Sequence, residues 1–100
     1  QYLNDPKVIE TFMRQAIAAT GLQIVHFHIQ EFKNGSSFGP GITGMALLSE
    51  SHMVVHTAPE RRGFNLDLFS CKPFDASRVN NLVHITFRPD ATHRWEVVRR

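Results

Sequence analysis

The sequence predicts an α+β fold: a two-layer sandwich with one antiparallel sheet and helices packed on one face of it. Three observations predict this. An amphipathic helical segment opens the chain, several short segments further on alternate apolar and polar residues, and the order along the chain is helix, strands, short helix, strands. The 100 residues are 42% hydrophobic and 20% charged, which describes one small globular domain with one core. A domain of this size buries only about two thirds of the surface its unfolded chain exposes. A partner subunit is therefore expected to add to its stability.

The first helix is expected after Asp5, placed to cap it, with Pro6 at the first helical position. Val8, Ile9, Phe12, Met13, Ala16 and Ile17 then recur at helical spacing until Gly21 stops the helix, while Lys7, Glu10 and Arg14 face water. No strand precedes this helix, and one is expected upstream in a longer protein. Residues 22–32, LQIVHFHIQEF, alternate as a half-buried strand, with Val25, Phe27 and Ile29 on one face and His26, His28 and Gln30 on the other. KNGSSFGPGITG, residues 33–44, is rich in turn formers and reads as a loop. ITGMALLSE, HMVVHT and GFNLDLFSC follow as three strands. In the last, Phe64, Leu66 and Leu68 share one face and Asn65, Asp67, Phe69 and Cys71 the other, and Pro73 ends it. A short helix is expected from Asp75 to Asn81, then two more strands, LVHITF and RWEVV, around the turn RPDATH.

Composition narrows the function. No apolar run approaches the ~20 residues of a membrane span and no signal-peptide pattern opens the chain, so a soluble, cytoplasmic protein is expected. The single cysteine, Cys71, cannot form an internal disulfide, which fits a reducing compartment. The formal charge of +2 is small and acidic residues are interspersed among the basic ones, which reads as a solvated surface with no nucleic-acid partner.

The residues with chemistry cluster in LLSESHMVVHTAPE, residues 47–60. In a strand through Ser51, Met53 and Val55 share its face while His52, Val54 and His56 lie opposite. His52 and His56 with Cys71 could ligate zinc, but there is no second cysteine and no close Cys-His spacing, and the reading taken is no metal. Cys71 could be a nucleophile with a histidine as base, its thiol activated near the helix at Asp75, though a lone cysteine at a strand end is more often inert filling. Neither reading explains a glutamate beside a serine in the most apolar part of the chain.

The segment from Ser37 to Cys71 resembles the central part of the small prokaryotic S-adenosylmethionine decarboxylases, made as proenzymes that cut themselves at a Glu-Ser bond. The likeness runs from the first helix to Cys71. It rests on the Gly41-Ile42-Thr43-Gly44 turn, the triplet Glu50-Ser51-His52, His56 five residues after the serine, the H-T-x-P-E run ending at Glu60, and Cys71 twenty residues after the serine. The resemblance implies that the Ser51 hydroxyl attacks the Glu50 carbonyl and forms an ester through an oxyanion. Elimination then cuts the chain into residues 1–50 and 51–100, and Ser51 becomes a covalent pyruvoyl group. Such a bond must be strained and reachable. Thr43, where the family more often has serine, and His56 match positions that assist this processing. The pyruvoyl group would take the substrate's α-amine as a Schiff base and serve as the electron sink when CO₂ leaves, with no added cofactor. Cys71 matches the proton donor of that reaction. A homodimer of processed protomers and a place in spermidine synthesis are implied as well.

Some family features differ. The position between Thr57 and Pro59, usually tryptophan, is Ala58, and the loop Phe38-Gly39-Pro40-Gly41 is one residue shorter than the family's F-x-P-x-G. Phe38 matches the ring that stacks on adenine, and Glu60 the carboxylate that holds the ribose hydroxyls. A carboxylate there could equally hold the distal cation of a basic amino acid. L-Ornithine or L-arginine is therefore the alternative substrate, since pyruvoyl chemistry serves any α-amino acid. The rival class is a binding module that kept the fold and lost the activity.

Overall fold

The computed structural model describes residues 4–33, 40–58, 63–70, 75–87 and 97–98. Helix α1 (Pro6–Thr20) leads into four antiparallel strands, β1 (Ile24–Phe32), β2 (Gly41–Leu48), β3 (Ser51–Ala58) and β4 (Gly63–Phe69), followed by helix α2 (Ala76–Phe87) and a short β5 (Val97–Val98). Strand order across the sheet is the order along the chain. Both helices pack on one face. The Asp5 carboxylate accepts from the Lys7 amide at 2.9 Å to start α1, and Gly21, at φ 76°, ends it in a left-handed turn that a side chain would disfavour. The apolar stripe of α1 puts Ile9, Phe12, Met13, Ala16 and Ile17 against the sheet with almost no exposure. Gly44 on β2 lets the Met13 thioether lie directly on the strand: a Cβ there would collide with Met13 Sδ.

Three expectations change. LVHITF is helical, not a strand, so the second helix runs to Phe87. Val79 and Val83 are fully buried and Phe87 closes on Phe12 and Phe64, at centroid separations of 5.0 and 4.7 Å, whereas Ile85, which an alternating strand would bury, is 70% exposed. The four-residue period that buries one face of a helix prevails over the local alternation. With a helix in that place the chain crosses over, and β5 joins β4 in parallel rather than through a hairpin. Of the predicted strand RWEVV, Val97 and Val98 lie among the described residues.

In β1 the register slips between Ile24 and His26, which pair with Leu48 and Leu47. The extra residue, Val25, is turned out to 63% exposure, and Ile24 instead joins Phe27 and Ile29 against the core. The third change concerns the segment around the glutamate. β2 begins at Gly41, inside the expected loop, and ends at Leu48, because Ser49 and Glu50 form a two-residue turn that pairs Leu48 with Ser51.

Candidate functional site

The polar interruption of the apolar run is thus a hairpin turn. Ser49 and Glu50 are exposed at its tip, and Ser51 is the first residue of β3. The Ser49 amide donates to the Gln23 carbonyl at 3.1 Å, which ties the turn to the end of the loop after α1. Ser51 points to the helix-covered face, at 7% exposure, on the side of Met53 and Val55 as the alternation predicts. The Glu50–Ser51 bond therefore joins an exposed residue to a sheltered one.

Thr43 and His56 are directly opposite each other across β2 and β3, with Thr43 Oγ1 and His56 Nδ1 3.0 Å apart. With the ring proton on Nε2, the hydroxyl donates to Nδ1, an arrangement suited to passing a proton between them. The strands are clamped beside this pair: the Ile42 amide donates to the buried Thr57 hydroxyl at 3.0 Å, and that hydroxyl donates to the Ile42 carbonyl at 3.4 Å. Thr43 and His56 are on the helix-free face, opposite to the Ser51 side chain. Five residues of strand separate His56 from Ser51, about 17 Å. Within one folded chain the pair and the bond do not meet.

His52 shares the helix-free face. Its ring stacks on Phe69, with centroids 5.6 Å apart and planes 24° from parallel, and Nε2 is 3.9 Å from Asp67 Oδ2. That separation is too long for a hydrogen bond. The other carboxylate oxygen, Asp67 Oδ1, is buried and has no hydrogen-bond partner. No group of three His, Cys, Asp or Glu side chains among the described residues could hold a metal ion. Cys71, Glu60 and Phe38 lie outside the described residues. Sequence reasoning put Asp67 on this face without assigning it a part, and it passed over Met45 and Leu47. The signal was in β2, which is apolar on both of its faces.

No helix among the described residues is long and apolar enough to cross a membrane. The family model for S-adenosylmethionine decarboxylase matches residues 1–100. Among curated proteins, the chain is similar to the S-adenosylmethionine decarboxylase proenzyme of Moorella thermoacetica, at 36% identity over 99% of this chain and 76% of that protein. It is also similar to the proenzymes of Syntrophomonas wolfei, at 35% identity over 76% of this chain, and Caldanaerobacter subterraneus, at 39% over 69%. These last matches span 60% and 52% of the relatives' own lengths, so the chain corresponds to somewhat more than half of such a protein. The match over all 100 residues, together with these relatives, establishes that the chain belongs to the S-adenosylmethionine decarboxylase family.

Proposed function

We propose that this protein is a self-processing, pyruvoyl-dependent decarboxylase that acts on S-adenosylmethionine as a homodimer. The observation that carries the reading is the position of the Glu50–Ser51 bond in the two-residue turn of a hairpin whose strands also bear the hydrogen-bonded Thr43 and His56. Residues 1–50 and 51–100 are held together by the β2–β3 ladder, so cutting the turn leaves the sheet paired and frees residue 51 as a chain terminus. The donor set suits a pyruvoyl group, since a serine hydroxyl adjoins the carbonyl it must attack. When formed, that group supplies an electrophilic carbonyl that captures an α-amine and accepts the electrons released with CO₂. Ser51 Oγ is the nucleophile, the Thr43 hydroxyl holds the developing oxyanion and His56 moves the proton. Cys71 is the proton donor to the substrate carbon, while Glu60 and Phe38 hold the ribose and adenine. Because Thr43 and His56 stand about 17 Å from the bond of their own chain, a second copy lying on the helix-free face supplies its pair to the exposed turn.

Intact mass of the wild type beside Ser51→Ala under denaturing conditions tests the processing. Two chains that part between Glu50 and Ser51, the second blocked at its N-terminus, are expected from the wild type, and one uncut chain from the variant. A wild type that stays whole after long incubation refutes the reading. Release of CO₂ from S-adenosylmethionine, but not from L-ornithine or L-arginine, fixes the substrate; the reverse result transfers the assignment to a basic amino acid.

A further inference from the structure

In the proposed function the cut leaves residue 51 at the end of a chain, and a chain end frays unless something ties it down. The register of β3 with β4 starts at His52, opposite Phe69, and the same residue faces Leu47 of β2. His52 is thus where the segment 51–100 is first paired on both sides, one residue from the group that reacts. Its side chain adds a second hold. His52 and Phe69 are direct cross-strand partners on the helix-free face, with ring centroids 5.6 Å apart and planes 24° from parallel. Nε2 of the same ring is 3.9 Å from Oδ2 of Asp67, which shares that face two residues earlier on β4. Ring pairs placed directly opposite each other are among the contacts that hold two antiparallel strands together. Both partners of this ring belong to β4, which lies on the same side of the cut as His52.

We propose that His52 is a positioning residue for the reaction at residue 51: its ring, stacked on Phe69, pins the new end of β3 to β4, so that the group formed from Ser51 stays where the intact hairpin held it. The inference rests on the self-processing of the proposed function and adds what keeps the site in place once the turn is cut. In the intact chain the peptide bond to Glu50 and the paired strand both fix residue 51. After the cut the bond is gone, and the clamp on the neighbouring residue carries more of the task. The ring does not touch the reacting group, because Ser51 points to the helix-covered face and His52 to the other, and it acts through the backbone between them. Attack by an α-amine needs the electrophilic carbonyl at a fixed distance and angle. A loosened end therefore lowers turnover more than binding, since Glu60 and Phe38, the residues assigned to ribose and adenine, belong to other segments.

His52→Ala, Phe69→Leu and the two together, each in the whole protein, test this. His52→Ala should still cut at the Glu50–Ser51 bond, and the cut protein should release CO₂ from S-adenosylmethionine about tenfold more slowly at saturation, with KM within about twofold of the wild type. Phe69→Leu should lose about as much, and the double variant about tenfold in all rather than about 100-fold, because each substitution removes the same contact. His52→Phe, which keeps a ring on Phe69, should restore turnover to within about twofold of the wild type. Hydrogen exchange at the Met53 amide needs no substrate: His52→Ala should speed it about tenfold in the cut protein and by less than about twofold in an uncut Ser51→Ala background. Additive losses, no recovery in His52→Phe, a change confined to KM, a loss that vanishes at higher protein concentration, or equal exchange in both backgrounds overturns the inference and leaves the decarboxylase reading intact. A His52→Ala chain that stays whole while the wild type cuts also overturns it, and moves the ring's part to the cutting step. A wild type that never cuts overturns the decarboxylase reading, and this inference with it.

Discussion

The two faces of the sheet are made by the same strands and differ in what each alternation presents. On the helix-covered face Ala46, Leu48, Met53, Val55, Leu66 and Leu68 are at most 2% exposed. On the other, Met45 and Leu47 are more than half exposed and sit among histidines. Hydropathy alone does not separate them, because β2 reads GITGMALL and is apolar on both sides. A strand of that kind is expected where both faces are covered. One cover is the helix layer of this chain, and the proposed function assigns the other to a second copy.

Removing one residue from each face should have very different effects. Leu68→Ala, at a fully buried position, should lower stability by about 2–5 kcal/mol in urea unfolding at fixed protein concentration. A loss under about 1 kcal/mol would mean that the helix layer does not pack on the sheet as described. Met45→Ser on the opposite face should change the stability of the monomer by no more than about 0.5 kcal/mol, measured by the same method at low protein concentration, and should weaken association. If it destabilises the monomer as much as Leu68→Ala does, the helix-free face is covered by the chain itself.

A smaller effect belongs to the helix layer and depends on pH. Asp75 starts α2: its carboxylate accepts from the Ser77 hydroxyl at 2.6 Å and from the Ser77 amide at 3.0 Å. These hydrogen bonds, the hydroxyl's first, hold the carboxyl below its ordinary range. A folded value below the unfolded one gives stability that is present above about pH 4 and is lost as the pH falls through the lowered folded value. Asp75→Ala should therefore lower the melting midpoint slightly at neutral pH, with the gap narrowing in strong acid. Melting followed over a pH series checks this, and a gap that stays constant from neutral pH into strong acid would contradict this role of Asp75.

Much of the site was legible because its chemistry is local in the chain. The Glu50-Ser51-His52 triplet, the spacing to His56 and the opposite faces of Ser51 and His56 follow from reading residues in order, and period-two geometry transfers them to a strand unchanged. The first helix was legible from its cap, its stripe and its stop. Two features were not. LVHITF satisfies a helix and a strand equally over six residues, and only contact of Val79, Val83 and Phe87 with the core decides between them. The slip after Ile24 leaves no trace in composition, because Ile24 and Val25 are interchangeable as β formers and the register of β2 selects which one is buried.

The order of residues alone carries the set of reacting groups: a serine after a glutamate, a hydroxyl eight residues before that serine and an imidazole five after it, and strands to hold them. Where these groups stand relative to one another comes from the folded chain. The two-residue turn puts the Glu50–Ser51 bond at the hairpin tip, and the pairing of β2 with β3 brings Thr43 to His56, thirteen residues apart in the chain and 3.0 Å apart in space. The same pairing holds both on the face away from the Ser51 side chain. The physical reason is that strand alternation is fixed by the backbone one residue at a time, whereas register, turn position and the covering of a face depend on what packs from elsewhere in the chain.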